Sequence, residues 1–158
     1  MSDSVNPVPP QYGTLTPSLN LSDAKAASKF YQAAFDAVEL FAMECPSGSG
    51  KVMHGEMKIG DTIFFFCDET EDWGAVSPLT VGGCPLSLNL YVPDCDAVHA
   101  QAVAAGATVE REPTSYPWGE RSSMVKDPFG YRWAICTHIE DVSPEEVMRR
   151  LQEWAPGE

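Results

Sequence analysis

The chain has 158 residues, with 23 acidic and 10 basic side chains and a net charge of −13. A surface that acidic repels phosphate backbones and anionic lipid headgroups, so nucleic-acid and membrane partners are not expected. At 44% hydrophobic residues the chain is long enough to bury the core of one domain, and no apolar run approaches the roughly 20 residues of a membrane span.

Residues 1–13 are polar and Pro-rich and read as a disordered or extended arm. They lack the basic and apolar regions of an export signal, so a cytoplasmic location is expected. Ser22 or Asp23 then caps a helix that runs to about Phe35, with Ala27, Phe30, Tyr31 and Ala34 as its buried stripe. A short strand is expected near 38–43, and PSGSGK (46–51) is a Gly/Ser turn without the full spacing of a phosphate loop. Two runs, 52–59 and 62–67, flank Gly60-Asp61 and form a hairpin. Residues 68–84 read as a connection.

The pattern then begins again. A strand at 86–92 precedes a helix from Asp94 to Ala105, which Gly106 ends. Strands follow at 108–111, 119–126 and 131–138, with a turn at 127–130. Ser143, Pro144 and Glu146 announce a last helix with a capping box. SLNL occurs at 18–21 and at 87–90, each time ahead of a helix, and the element order after each copy is the same. The fold class expected is therefore α+β: two βαβββ modules forming curved mixed sheets around a concave cleft. Module one spans 14–67 and module two 85–138, together a single domain at 14–138, and 139–158 form a C-terminal helix and tail. The modules are expected to be related by a pseudo-two-fold axis, with Ser18 and Ser87 at equivalent places.

Several segments resemble a known family. LTPSLNLSDAKAASKFYQAAF is similar to the opening strand and helix of modules of the vicinal oxygen chelate (glyoxalase / bleomycin-resistance / extradiol-dioxygenase) superfamily. DPFG before the last strand recurs across that superfamily, while WGER and THIEDVSPEE resemble its PhnB-like branch. The resemblance covers about residues 14–150 and implies the paired-module fold. It also implies a homodimer, by likeness to the antibiotic-binding members. Metal-dependent members place His or Glu ligands on the first and last strands of each module. Those positions map here to Thr16, to Pro85 or Ser87, to Ala134 and near Phe64. None is a good ligand, so neither a metal nor another cofactor is expected.

Strand alternation places Leu15, Leu19, Leu21, Leu86, Leu88 and Leu90 toward the helices and Asn20, Asn89 and Tyr91 on the opposite face. His54 and Glu56 share that polar face. With Phe64, Phe66, Trp118 and Arg121 they form the expected binding surface for a polar, planar small molecule. Trp118 beside Arg121 suits stacking and carboxylate pairing; the alternative is a hairpin corner with a surface ion pair. His54 and Glu56 also suit an acid/base pair, half of a relocated metal site, or a structural strand pair. His99 is expected at the solvated surface, His138 at a strand end, and Trp73 and Trp133 in the core. The five cysteines show no metal-type spacing and read as reduced thiols, mostly small core residues. Cys67 and Cys136 occupy corresponding places without a basic neighbour to activate them. The functional expectation is a metal-independent small-molecule-binding protein; the alternative is a lyase or isomerase using His54 and Glu56.

Overall fold

The computed structural model describes residues 5–154. The chain divides after Gly83 into two compact units. Each holds a four-stranded mixed sheet with a helix on it, the α+β arrangement that the repeated pattern predicts.

In the first unit, β1 (Ser18–Leu21) leads into α1 (Ala24–Phe35), followed by β2 (Val38–Glu44), β3 (Val52–Ile59) and β4 (Thr62–Asp68). The sheet order is β1-β4-β3-β2, with β1 parallel to β4 and the other pairs antiparallel. Helix α1 starts where the Asp23 carboxylate accepts from the Ala26 N–H at 2.9 Å. It stops at Asp36, which takes up the left-handed conformation (φ 52°). Ala27, Phe30, Tyr31 and Ala34 are all buried, and Tyr31 meets Phe64 edge-on at 5.9 Å. Leu19, Leu21, Met57 and Phe66 complete this core, each large side chain contributing about 1.5–3 kcal/mol through burial. Buried Asp68 ties three elements together: its carboxylate accepts from the Ala24 N–H at 2.9 Å and from the Val52 N–H at 2.6 Å. The connection contains a 3-10 turn (Glu71–Trp73) and a short helix, α2 (Pro78–Val81).

In the second unit, β5 (Ser87–Tyr91) precedes α3 (Cys95–Ala105), β6 (Thr108–Tyr116), β7 (Glu120–Lys126) and β8 (Arg132–His138), in sheet order β5-β8-β7-β6. Trp133, Ile135, Val125, Cys95 and Ala102 form its core. Strand β6 runs five residues past the predicted end at Arg111, with register shifts on either side of Arg111. Pro113 is tolerated there because β6 is an edge strand. Helix α4 (Pro144–Glu153) is capped by the Ser143 hydroxyl accepting from the Glu146 N–H at 3.3 Å. The expected capping box is not closed, because the Glu146 carboxylate turns to Arg149 and Arg150 instead.

The repeat needs one correction. Asn20 pairs with Cys67, and Tyr91 pairs with Cys136. The Ala24 N–H at the start of α1 is held by Asp68, and the Cys95 N–H at the start of α3 by the Thr137 hydroxyl at 2.8 Å. Cys67 and Cys136 are thus counterparts, as expected, but Ser18 corresponds to Asn89 and not to Ser87. The second unit has two more residues between its SLNL copy and its helix cap, so the letters repeat two positions out of structural register. A two-residue slip preserves the side-chain face, which is why the alternation remained informative.

Other corrections are local. Leu15 precedes β1 and is 88% exposed, and Leu86 precedes β5 and is also exposed. Trp73 is 74% exposed on the connection. His99 is 7% exposed rather than solvated, with its Nδ1 lacking a hydrogen-bond partner among the described residues. Only Cys95 and Cys136 of the five free cysteines are buried.

Candidate binding face on the first sheet

The tight hairpin between β3 and β4 sets the geometry. Its register pairs Ile59 with Thr62, Met57 with Phe64, Glu56 with Phe65 and Gly55 with Phe66. Met57, Phe64 and Phe66 therefore share the face covered by α1, and all three are buried. The expected ligand contacts Phe64 and Phe66 are thus core residues. Phe65 is the ring on the opposite face, beside Glu56 and Ser18. The signal was in the sequence: once Met57 is inward, a two-residue turn at Gly60-Asp61 forces Phe64 inward too.

His54, Glu56 and Asn20 lie on the face away from α1. The His54 ring lies 5.0 Å from Phe65 and 6.4 Å from Phe41. His54 Nε2 is 3.5 Å from Glu56 Oε1. The Cys67 thiol points to Asn20 Oδ1 at 3.4 Å. Burial raises the Cys67 pKa, so this thiol is no ready nucleophile. One participant was not anticipated. Tyr12, in the N-terminal arm, donates its hydroxyl to Glu56 Oε1 at 2.7 Å, and its ring meets Phe65 edge-on at 5.2 Å. Nothing in local periodicity marks a contact made by an arm residue 44 positions away.

The remaining predicted residues lie in the second unit. Asn89 and Tyr91 share one face of that sheet, next to Ala134 and Cys136. The Tyr91 hydroxyl donates to Glu120 Oε2 at 2.9 Å, which holds the phenol above its ordinary pKa. Burial, with Glu120 adding to it, pushes the Cys136 thiol up to about 12. Arg121 is on the α3 side of the sheet, where its guanidinium grips Asp96 through two hydrogen bonds of 2.5 and 2.6 Å. Its fork is filled by Asp96, so of the two readings of Arg121 the structure has the surface ion pair and not the pairing of a ligand carboxylate. Trp118 stacks on Tyr116 at 4.5 Å and meets Trp154 edge-on at 5.9 Å, forming a hairpin corner with the end of α4.

The first unit also has a cavity of about 540 Å³ walled by Cys45, Lys51, Glu69 and Trp73, among others. The Ser47 hydroxyl donates to Cys45 Sγ at 3.1 Å and holds that thiol below its ordinary pKa.

The comparisons with known proteins agree with this architecture. Residues 13–135 match the model of the Glyoxalase/Bleomycin resistance protein/Dioxygenase superfamily. The chain belongs to this superfamily. An uncharacterized protein of Mycobacterium bovis is 35% identical over 146 residues, covering 90% of this chain and 95% of that protein. Among solved structures, TioX from Micromonospora sp. ML1 is similar with a TM-score of 0.63 at 21% identity, over 80% of this chain and all of that one. An Arabidopsis thaliana gene product gives 0.61 at 26% identity, over 78% of this chain and 98% of that one. A PhnB protein from Bacillus cereus, described as a putative 3-demethylubiquinone-9 3-methyltransferase, gives 0.61 at 18% identity, over 79% and 99%.

The superfamily's metal positions can be tested against the donors present. By pairing register Ser87 is the counterpart of Thr16, and Phe65, not Phe64, that of Ala134. Phe65 and Ala134 have no donor atom, and the Thr16 hydroxyl donates to the Gly13 carbonyl at 3.3 Å. Two neutral hydroxyls do not fit a divalent ion, which needs several strong donors. Among the described residues no group of three His, Cys, Asp or Glu side chains is placed to hold a metal.

Proposed function

We propose that this chain is a metal-independent small-molecule-binding protein of the PhnB-like branch, acting in the cytoplasm, whose ligand is polar and planar. One observation carries the reading. A carboxylate, an imidazole and two aromatic rings converge on a single sheet face, with His54 between Phe41 and Phe65 and Glu56 beside them. Aromatic walls supply contact area, and the two polar groups fix orientation. The weak donor set at the superfamily's metal positions supports a role without a metal. No described helix is long and apolar enough to cross a membrane.

Calorimetric titration with quinoline tests this. Quinoline is expected to bind the wild-type chain, and Phe65→Ala is expected to weaken binding by about tenfold, the loss of one stacked ring contact. Equal affinity for wild type and Phe65→Ala would overturn the placement.

One distance favours the second reading, a lyase or isomerase: the 3.5 Å approach of His54 to Glu56. It is the weaker reading because the same carboxylate oxygen is held more closely by Tyr12. Turnover lost on His54→Ala would bring it forward.

We also propose a homodimer. Edge strand β2 leaves Val38, Leu40, Phe41 and Met43 between 39% and 56% exposed. An unpaired apolar edge of this kind invites a second copy. Light scattering is expected to give twice the chain mass of 17.2 kDa; the single-chain mass would refute the dimer.

A further inference from the structure

We propose that the Tyr12 phenol occupies the ligand's own place on the β3–β4 face, and that the natural ligand is a neutral planar hydroxyarene which displaces it. This rests on the reading that the ligand seats against Glu56 and Phe65.

Tyr12 is not a core residue whose position packing dictates. It belongs to the arm, one residue before the segment matched by the superfamily model. Its neighbours Gln11 and Gly13 are exposed. A turn folds the arm locally, with the Tyr12 N–H donating to the Pro9 carbonyl at 3.2 Å. The side chain nevertheless makes two specific contacts with the face: a 2.7 Å hydrogen bond to Glu56 Oε1 and an edge-on ring contact with Phe65 at 5.2 Å, interplanar angle 86°. The site therefore accepts an aromatic ring and a hydroxyl donor at the separation a phenol supplies. Glu56 keeps the phenol proton in place, raising the Tyr12 pKa chiefly through this hydrogen bond.

The same features define the incoming molecule. It needs an O–H to replace the bond to Glu56 and a flat ring for Phe65 and His54. It should carry no negative charge, because Glu56 and a chain of net charge −13 repel anions. Glu56 Oε2 has no hydrogen-bond partner among the described residues, so a second hydroxyl could be accommodated. An internal competitor lowers apparent affinity by the fraction of time it is docked. If Tyr12 is docked about ten times as often as it is released, removing it tightens binding about tenfold.

The test is titration of the full chain with 2-naphthol and with 2-methoxynaphthalene, the same ring with its hydroxyl capped. Affinities and backbone amide shifts are read by NMR for wild type, Tyr12→Ala and Tyr12→Phe. The expected result is that 2-naphthol shifts the amides of His54, Glu56 and Phe65 and binds Tyr12→Ala about tenfold more tightly than wild type. Tyr12→Phe should fall between the two, and 2-methoxynaphthalene should bind at least tenfold more weakly than 2-naphthol, having no proton for Glu56. Equal binding of both probes at this face, with no effect of Tyr12→Ala, would overturn the inference and leave the site standing. Failure of both probes to shift any amide on this face, in any variant, would overturn the inference and the site together.

Discussion

Asp127→Ala is expected to lower the stability of the chain by about 4 kcal/mol, measured from the urea midpoint. Asp127 is 3% exposed and opens the DPFG turn between β7 and β8. Its Oδ1 accepts from the Phe129 and Tyr131 N–H groups, each at 2.9 Å, and its Oδ2 accepts from the Trp133 indole N–H at 3.0 Å. Alanine would strand three donors in a dry environment, and each unmade bond costs about 1–3 kcal/mol. Asp127→Asn keeps an acceptor for the two backbone donors but turns an amide N–H₂ toward the indole, so about half the loss is expected. A loss below about 1 kcal/mol for the alanine variant would show that the turn does not depend on this carboxylate. The DPFG motif thus has a mechanical reason: one aspartate shapes the turn and anchors a core tryptophan.

Gly55→Ala is expected to cost about 3 kcal/mol, at the upper end of overpacking. A Cβ at Gly55 would lie 2.3 Å from Phe66 Cε1, 2.4 Å from Cζ and 2.8 Å from Cδ1. Phe66 is 1% exposed and has nowhere to go, so the strand or the ring must shift. Gly55 also stands between His54 and Glu56, and a tilt of β3 would move both polar groups of the binding face. Stability and quinoline affinity should fall together. The double variant Gly55→Ala, Phe66→Leu should be more stable than Gly55→Ala alone, because the smaller side chain makes room for the added methyl. Equal instability of the single and double variants would place the strain somewhere other than this ring.

The fold was legible because its signals were periodic and local. Of the two cap candidates Ser22 and Asp23 it is Asp23 that caps α1, Asp94 caps α3 where that helix was expected to begin, and the alternation through SLNL and VMHGEMKI put Asn20, His54 and Glu56 on one face. The run IFFFC at 63–67 has no polar alternation, so composition could not tell Phe65 from Phe64 and Phe66. Only the hairpin register decides it. SLNL misled in pairing but not in facing, because its displacement is two residues and strand parity has period two. Arg121 was misplaced because Asp96 on α3 fills its guanidinium, a tertiary contact that sequence spacing does not mark. Tyr12 was missed for the same reason, and His99 because α3 carries small apolar residues on every side and so gives little sign of which face turns inward.

The central claim is that the ligand seats on the first sheet, on the face away from α1. A crystal structure of the full chain with 2-naphthol tests it most directly. The account predicts ligand density against the Phe65 ring, within hydrogen-bonding or stacking distance of His54 and Glu56, with Tyr12 displaced. Well-ordered density instead in the cavity walled by Cys45 and Trp73, or against Tyr91 and Trp118 with the Phe65 face bare, would contradict it.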